Sequence, residues 1–348
     1  MQVLKFGGSS VGSPEAINQM LSIVISRIQK EKTIVVVSAM SGVTDQLIIL
    51  AQTAAKGDEA YKTIIQNIEQ KHLDIVRTLL PIQQQSATLS IVKQLINEIE
   101  ANCEGLFMLK ELSPRMKDKI VCYGELLSSK IIAATFAAKG INQQWVDARE
   151  LIKTDSSFLN AVVDRELTYK TIQDYFKNPT NAFDLYIAPG FISSDMEGNT
   201  TTLGRGGSDY TGAIFAAALD AERLEIWTDV SGMMTADPRM VHNAKEIPKI
   251  SYQEAMELSH FGAKIIYPPT IQPVMRENIP VWIKNTFEPA HPGTLIENES
   301  PKDDNFIRGI SSIKDISAHG SECALPLTST FTAGQHTVKL NPAIFPAE

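Results

Sequence analysis

Near its N-terminus the chain carries the segment Lys5–Gly12, which reads KFGGSSVG. Residues 1–4 are largely apolar and predict a short buried strand, whereas residues 13–15 read SPE, which is typical of a capped helix start. Two adjacent glycines let backbone N–H groups approach an anion, the start of the helix adds a partial positive charge, and Lys5 supplies a full one. The segment therefore predicts a phosphate-binding loop between a strand and a helix.

This loop differs from the two common nucleotide-binding motifs. The Walker A pattern G-x-x-x-x-G-K-[ST] is absent, since the lysine precedes the glycines, and G-x-G-x-x-G is absent as well. Because glycine-rich turns are common, an ordinary strand-to-helix turn with a surface lysine stays open as an alternative at this point.

Length and composition indicate a globular protein with a large core. The chain has 348 residues, of which 43% are hydrophobic and 21% charged, so two lobes or domains are expected. The net charge of −8 argues against a nucleic-acid-binding or anionic-membrane surface, and no apolar run reaches the roughly 18 residues of a membrane span. We therefore expect neither a nucleic acid nor a membrane as partner.

Cysteine and histidine usage points the same way. Three cysteines without a C-x-x-C pair predict reduced thiols, and the early Lys5 segment leaves no room for a signal sequence, so we expect a cytoplasmic protein. The six histidines include no H-E-x-x-H motif, which argues against a dedicated transition-metal site.

The pattern of apolar residues predicts an α/β fold. Between 17 and 28 they recur at three- and four-residue steps, as in an amphipathic helix, and residues 33–37 (TIVVV) are typical of a strand buried on both faces. Strand, loop, helix and strand open a βαβ unit, so an open, mainly parallel sheet sandwiched by helices is predicted. The segment from about 45 to 110 is helical in pattern, and we expect it to form a lid or a dimer surface.

Further elements follow along the chain. Predicted strands cover residues 119–123, 183–188, 224–228 and 281–284, the last of them the final core strand. Predicted helices cover residues 126–139 and 209–219, and a third runs from a capping box at 251–254 to about 266.

A second glycine-rich segment, Thr202–Asp209, precedes one of these helices. Arg205 offers a planar fork that suits a carboxylate, and Ser208 with the loop amides adds neutral donors. Asp209 is in position to cap the helix and to orient nearby lysines. The segment favours a carboxylate site over the alternative, a capped turn with a surface arginine.

A third polar segment runs from 227 to 232 and continues from 235 to 239. It starts at the carboxyl end of a predicted strand, where ligands bind in open α/β sheets, so we interpret it as a nucleotide contact with Arg239 near the phosphates. For Arg239 alone, a solvated side chain beside an Asp-Pro turn is an equally good interpretation.

Two further charged residues have a structural and a functional interpretation. Lys264 lies near the end of a predicted helix, where a cation complements the helix dipole. Glu125 fits the first turn of another helix, where an acid does the same, but it also suits a substrate ammonium group. For Glu125, local evidence leaves both interpretations open, whereas a role of Lys264 as a second phosphate-binding lysine does not follow from its spacing.

Taken together, these motifs resemble the aspartokinases of the amino-acid kinase family. The resembling segments keep the family's order from residue 1 to about 296: KFGGSS at 5–10, SAMSGVT at 38–44, ELSPR at 111–115, YGE at 123–125, GF at 190–191, LGRGGSD at 203–209, the segment 228–239 and PGT at 292–294. Phe6 and the ELSPR segment favour aspartokinases over acetylglutamate, glutamate and UMP kinases.

The resemblance implies a two-lobed amino-acid kinase (carbamate kinase-like) fold and a reaction. The reaction is ATP-dependent phosphorylation of the L-aspartate β-carboxylate, the first step of lysine, threonine and methionine biosynthesis. Mg²⁺ is expected to arrive with ATP, held by phosphate oxygens and water rather than by a protein metal site.

The resemblance also implies roles for individual residues. Asp209 holds the catalytic lysines in place without removing a proton, Arg205 grips the α-carboxylate of aspartate, and Glu125 binds its ammonium group. The implied catalytic residues are Lys5, Asp209 and Lys264. The implied aspartate pocket consists of Ala39, Thr44, Glu125, Phe191, Arg205 and Ser208. The implied nucleotide contacts are Lys5, Gly7, Gly8, Ser9, Thr228, Asp229, Asp237, Arg239 and Lys264.

A division of the chain is implied as well. We expect a catalytic domain at 1–296, with an aspartate-binding N-lobe at about 1–200 and an ATP-binding C-lobe at about 201–296. We expect a linker and an incomplete remnant of a regulatory ACT domain at 297–348.

The chain departs from the family in two places. Tyr267 stands where the family usually has histidine. Residues 306–313 resemble the first ACT strand, but from about 318 the resemblance ends, and the rest is too short for the usual pair of ACT domains. We therefore expect no intact amino-acid feedback and a homodimer weakened by the missing domains. Whether the parent protein is fused to a homoserine dehydrogenase stays open.

Two other functions compete with an active aspartokinase. The first is a kinase for another small acid, which assays with glutamate, acetylglutamate and UMP would separate. The second is an inactive or feedback-insensitive remnant that binds an amino acid or a nucleotide, which ATP binding without turnover would favour.

Overall fold

The structure is a computed structural model that describes residues 1–178, 183–236, 241–260 and 266–299, together with two strands in the tail. Its strands are β1 (Gln2–Phe6), β2 (Thr33–Val37), β3 (Gln143–Trp145), β4 (Leu185–Pro189), β5 (Ile192–Ser194), β6 (Thr200–Thr202), β7 (Arg223–Thr228), β8 (Lys249–Ser251), β9 (Val281–Asn285), β10 (Thr294–Glu297), β11 (Ser329–Ala333) and β12 (His336–Leu340). Its helices are α1 (Pro14–Ile28), α2 (Val43–Ala55), α3 (Tyr61–Leu79), α4 (Ile82–Leu109), α5 (Pro114–Val121), α6 (Tyr123–Ala138), α7 (Ala148–Leu151), α8 (Arg165–Lys177), α9 (Gly207–Ala218), α10 (Tyr252–His260) and α11 (Gln272–Arg276).

Eight strands form one sheet in the order β3-β4-β2-β1-β7-β9-β10-β8. Every neighbouring pair is parallel except β9 and β10. β1 lies between β2 and β7, and both β1 and β2 are buried along their whole length, which fits the β-branched sequence TIVVV of β2. Helices cover the sheet, with α1 against β2, α6 against β4 and α9 against β1. The predicted open, mainly parallel sheet between helices is confirmed.

The predicted helical segment after β2 is confirmed as α2, α3 and α4, which pack against one another and against α6. In the described part of the chain, one helical stretch, Pro114–Ala138, is long and apolar enough to suit a membrane span. However, 83% of its most apolar window is buried inside the protein. We therefore interpret it as a core element.

The predicted strand at 119–123 is wrong, because these residues end α5 and begin α6. Ser113 caps α5 by accepting a hydrogen bond from the Met116 N–H group at 3.2 Å, and Pro114 occupies the first turn. This start commits the chain to a helix, and complete burial of Ile120 in the core offsets its preference for strands.

The predicted strand at 281–284 is confirmed as part of β9, but it is not the last strand of the sheet. β10 returns antiparallel to β9 and also pairs with β8. The reversal depends on Gly293, which has a φ of 76° and whose Cβ, if present, would lie 2.0 Å from the carbonyl oxygen of Ile283. No local sequence pattern predicts this contact.

Two helices begin at their predicted capping residues, Ser13 and Ser251. Ser13 accepts a hydrogen bond from the Ala16 N–H group at 3.2 Å. In the capping box, the Ser251 hydroxyl accepts from the Glu254 N–H group and the Glu254 carboxylate accepts from the Ser251 N–H group.

Several predictions concern segments beyond the described ranges. The continuation of α10 to about 266 crosses residues 261–265, and the ACT-like strand at 306–313 lies in the tail, so both fall outside the described residues. The boundaries of the lobes and of the remnant stay predictions.

His72, on α3, predicts how acid weakens this helical layer. Its ring is buried, and burial lowers its pKa to about 4, although Nδ1 lies 2.6 Å from the Ile68 carbonyl oxygen. The unfolded chain binds the proton more readily, at a pKa near 6.5, so stability falls as the pH drops from about 6.5 towards 4. Between pH 7.5 and 5, the unfolding free energy of the parent should fall by about 2 kcal/mol more than that of His72→Leu. Urea denaturation at both pH values measures this difference.

The matched control is His242→Leu, which removes an exposed imidazole and should leave the acid sensitivity unchanged. Equal acid sensitivity in His72→Leu and the parent would contradict this account.

Candidate active site

A cavity of about 350 Å³ opens where β1, β2 and β4 end. The carboxyl ends of parallel strands meet at one edge of a sheet, which is why residues far apart in sequence converge here. The cavity is lined by Lys5, Gly8, Ser38, Ala39, Met40, Ser41, Gly42, Thr44, Asp45, Glu125, Phe191, Gly204, Gly206, Gly207, Ser208 and Asp209.

The charged centre of the cavity is an ion pair between Lys5 and Asp209. Lys5 Nζ and Asp209 Oδ1 are 2.6 Å apart, and the two side chains are only 10% and 14% exposed. Asp209 was predicted to cap α9 and to orient nearby lysines. The contact with Lys5 is observed, whereas the capping role is wrong. Gly206 occupies the cap position at a φ of 71°, a conformation that favours glycine, so Asp209 falls in the first turn and reaches Lys5 instead.

Glu125 lies in the first turn of α6 and is almost completely buried. Its Oε1 accepts a hydrogen bond from the Ala39 N–H group at 3.2 Å, while its Oε2 is buried without a hydrogen-bond partner among the described residues. Burial raises the pKa of Glu125 to about 8, against opposing hydrogen bonds and the charge of Lys5. Among the described residues, the Glu125 carboxyl group therefore has no ion-pair partner.

The wall opposite the N-terminal loop is built by close packing of Gly190 and Phe191 against α9. A Cβ on Gly190 would lie 2.7 Å from Ser208 Cβ, so only glycine lets the strand end approach the helix. Phe191 has a φ of 66°, and its N–H group donates to Thr211 Oγ1 at 3.0 Å while its carbonyl accepts from the Leu203 N–H group at 2.9 Å. These contacts hold Phe191 in a backbone conformation that only glycine adopts freely.

The two glycines of the first loop, Gly7 and Gly8, make different contacts. The Gly7 N–H group donates to the Trp227 carbonyl at 3.0 Å, so it is engaged within the protein. Gly8 lines the cavity, and its absent Cβ allows the loop to lie close to the Ala39 carbonyl, 3.0 Å from where that Cβ would be. Ser9 follows in a short 3-10 turn, Gly8–Val11, beside the cavity.

The cavity brings together eight of the residues singled out from the sequence and leaves others apart. The eight are Lys5, Gly8, Ala39, Thr44, Glu125, Phe191, Ser208 and Asp209. Arg205 is exposed, with its guanidinium 5.6 Å from the centre of the Tyr267 ring, although its neighbours Gly204 and Gly206 line the cavity. At the end of β7, the Thr228 hydroxyl donates a hydrogen bond to Asp229 Oδ1 at 3.1 Å. Asp237, Arg239 and Lys264 lie outside the described residues.

Two contacts that support the loops after β1 and β2 were not predicted from the sequence. Lys71 on α3 donates a hydrogen bond to the Ser41 carbonyl at 2.7 Å, which ties the helical layer to the cavity wall. Ser10 and Thr286 share a buried hydrogen bond at 2.7 Å, which ties the first loop to the end of β9. Both contacts join residues more than 25 positions apart, and no sequence signal announced them.

The arrangement suits a ligand with both signs of charge. Lys5 attracts an anionic group, the buried Glu125 carboxyl attracts a cationic one, and Ser208 with the loop amides supplies neutral donors. Among the described residues, no group of three histidine, cysteine, aspartate or glutamate side chains is arranged to hold a metal ion.

Comparison with known proteins identifies related sequences. Residues 1–285 match the family described as Amino acid kinase family. The chain is 36% identical over 304 residues to the Lysine-sensitive aspartokinase 3 of Escherichia coli, covering 86% of this chain and 64% of that protein. It is 34% identical over 320 residues to the Bifunctional aspartokinase/homoserine dehydrogenase of Buchnera aphidicola, covering 91% of this chain and 39% of that protein. The chain thus spans roughly two fifths to somewhat under two thirds of these relatives.

Solved structures with the same fold include two aspartokinases. E. coli aspartokinase III, crystallised in complex with aspartate and ADP, superposes with a TM-score of 0.80 at 33% identity, covering 88% of this chain and 66% of that one. The aspartate kinase of Clostridium acetobutylicum superposes with a TM-score of 0.73 at 31% identity, covering 89% and 66%.

Close packing at Gly190 can be tested by adding one methyl group. We expect Gly190→Ala to lower the unfolding free energy by about 1–3 kcal/mol, because the new Cβ would overlap Ser208. Urea denaturation midpoints measure the change. Gly105→Ala is the matched control, because a Cβ there meets nothing within 4 Å and lies within α4, where alanine is favoured by about 0.5–1 kcal/mol. A Gly190→Ala variant as stable as the parent would contradict the packing described.

Proposed function

This chain belongs to the amino acid kinase family, and we propose that it is an aspartate kinase. It would transfer the γ-phosphoryl group of ATP to the β-carboxylate of L-aspartate, giving 4-phospho-L-aspartate and ADP. The observation that carries the proposal is the cavity in which the Lys5–Asp209 ion pair lies near the buried, unpaired carboxyl oxygen of Glu125. The solved relative from E. coli that binds aspartate and ADP supports it.

The proposed reaction needs charge compensation rather than a general base. A carboxylate with an ordinary pKa of about 3.9 is already ionised at neutral pH and can attack phosphorus directly. Two anionic groups must then be aligned and brought together, so cations and oriented N–H groups lower the barrier. Lys5 is the cation in the described part of the cavity, and we assign it to the transferring phosphoryl group. Asp209, bound to Lys5 Nζ, orients the lysine without removing a proton.

We assign the recognition of aspartate to two groups of opposite charge, Glu125 in the cavity and Arg205 beside it. Glu125 Oε2, which has no hydrogen-bond partner among the described residues, accepts hydrogen bonds from the substrate ammonium and pairs with its positive charge. Arg205 lies in the loop between Gly204 and Gly206, which both line the cavity. We assign its guanidinium to binding the α-carboxylate of aspartate. Ala39, Thr44, Phe191 and Ser208 complete the pocket.

The nucleotide is assigned to the neighbouring strand ends. β7 lies beside β1, so Thr228 and Asp229 follow the strand next to the glycine-rich loop of Gly7, Gly8 and Ser9. Asp237, Arg239 and Lys264 belong to the same proposal. Mg²⁺ would neutralise the phosphates. The nearby acids fit binding through phosphate and water, because Asp209 is paired with Lys5 and Glu125 with the Ala39 N–H group. The homodimer and the cytoplasmic location remain predictions.

The first experiment is aspartate-dependent ADP release with Mg-ATP, with the acyl phosphate trapped by hydroxylamine. We expect trapped product with aspartate, no trapped product with glutamate or acetylglutamate, and no ADP release with UMP. Folded protein that binds ATP but yields no product with any acid would overturn the proposal.

Removing the charge of Lys5 tests its assigned role. We expect Lys5→Met to lower kcat at least about 100-fold with a much smaller change in KM for aspartate, because the lysine acts on charge that develops in the transition state. Steady-state kinetics give both constants. Lys30→Met, which removes an exposed lysine, is the control and should behave like the parent. Near-parental turnover by Lys5→Met would place the phosphoryl site elsewhere.

The raised pKa of Glu125 predicts how aspartate binding depends on pH. The ammonium binds the ionised carboxylate, so below a pKa of about 8 each protonated Glu125 must first lose its proton. We expect the affinity for aspartate, measured by calorimetry without ATP, to fall up to about tenfold per pH unit between pH 7.5 and 6. Glu125→Gln cannot titrate and should bind weakly with no such slope. A flat profile in the parent would contradict the assignment.

A further inference from the structure

We propose that Asp118 is a positioning residue that holds the loop carrying Arg205 and Ser208. The inference rests on the proposed function for the significance of those two residues, but its structural part stands on contacts that do not involve substrate. Asp118 lies on α5, outside the cavity, and its side chain is completely buried.

The Asp118 carboxylate accepts three hydrogen bonds from two segments. Oδ2 accepts from the Thr202 N–H group at 3.0 Å and from the Leu159 N–H group at 2.8 Å, and Oδ1 accepts from the Thr202 hydroxyl at 2.6 Å. A buried carboxylate is retained at little cost only when its oxygens are satisfied in this way. Thr202 ends β6, and Arg205 follows three residues later.

The second segment presses directly on the loop. Leu159 has a φ of 74°, unusual for a residue other than glycine, and Asp118 holds its N–H group. A Cβ on Gly204 would lie 2.3 Å from Asn160 Oδ1 and 3.3 Å from the Leu159 carbonyl oxygen. The turn at 159–160 therefore packs against the backbone immediately before Arg205. One carboxylate thus fixes both the strand that enters the loop and the turn that supports it.

A neighbouring residue on α5 also contacts the hairpin, at its turn. Arg115, also on α5, donates to the Asn199 side chain just before β6. The Thr202 carbonyl in turn accepts from the Ala161 N–H group at 2.9 Å. Arg115 and Asp118 therefore both contact the β5–β6 hairpin, Arg115 at its turn and Asp118 at the end that leads to Arg205.

The decisive variant is Asp118→Ala, which removes all three acceptors. We expect KM for aspartate to rise on the order of tenfold, while KM for ATP stays within about twofold, because displacement of a binding group weakens the ligand that it contacts. A variant that merely lost stability would reduce the active fraction, and hence kcat, without shifting KM for one substrate. Asp118→Asn keeps an acceptor for the two N–H groups and can donate to the Thr202 hydroxyl, so we expect it to restore KM for aspartate to within about threefold of the parent.

Two further variants keep the test decisive. Thr202→Val removes only the hydroxyl and covers the case in which Asp118→Ala does not fold; we expect KM for aspartate to rise about threefold. Asp195→Ala is the matched control, because Asp195 is buried on the same hairpin and accepts from the Glu197 and Asn199 N–H groups and the Ser156 hydroxyl, whereas Thr202 and Leu159 donate to Asp118. It should lower the melting temperature without moving KM for aspartate.

Backbone hydrogen exchange, measured without substrate, tests the positioning role of Asp118 independently of the proposed aspartate kinase activity. We expect backbone amide hydrogen exchange of residues 203–209 to speed up about tenfold in Asp118→Ala, or less in Thr202→Val, and to stay unchanged in Asp195→Ala. If the parent lacks aspartate kinase activity, the proposed function fails, and exchange alone decides the positioning role. Unchanged exchange at 203–209 in both Asp118→Ala and Thr202→Val, or equal acceleration in Asp195→Ala, would overturn the inference.

Discussion

The ion pair between Lys5 and Asp209 joins the central strand of the sheet to the first turn of α9. Their charged atoms are 2.6 Å apart and both side chains are largely covered. Because β1 is held on both sides by β2 and β7, Lys5 has little freedom, and Asp209 shares that fixed position. Charges fixed in a partly dry cavity stabilise a developing charge more strongly than the same charges in water, since no reorganisation is needed. The rest of the site is arranged around this pair.

Glycines set the distances between the loops that surround the pair. Gly124 approaches Ala39 so closely that a Cβ would lie 2.8 Å from the alanine methyl, and Gly190 approaches Ser208 in the same way. The first contact brings α6 and Glu125 to the loop after β2, and the second brings the end of β4 to α9. A larger residue at either position would separate the groups that the cavity assembles. Backbone proximity, rather than side-chain reach, therefore determines the size of the pocket.

Local chemistry made much of the fold predictable. Ser13 and the Ser251–Glu254 capping box mark helix starts because a cap satisfies N–H groups only two or three residues away. The run at 33–37 marks a central strand because both its faces are covered. The motifs also identified Lys5 and Glu125 as candidates one by one, since each belongs to a short segment whose composition is unusual.

The amino-acid sequence was therefore sufficient for the fold class, for several of the strands and helices, and for eight of the residues that line the cavity, because these depend on near neighbours along the chain. It did not predict that residues 119–123 are helical, that Gly206 rather than Asp209 occupies the cap of α9, or that the Gly7 N–H group donates to the Trp227 carbonyl. It was also silent on Lys71, which reaches Ser41 across 30 positions. These features depend on which groups become neighbours once the sheet and its helices pack. A buried N–H group or charge takes whatever partner the packed chain brings within about 3 Å, and that partner follows from three-dimensional proximity rather than from spacing along the sequence.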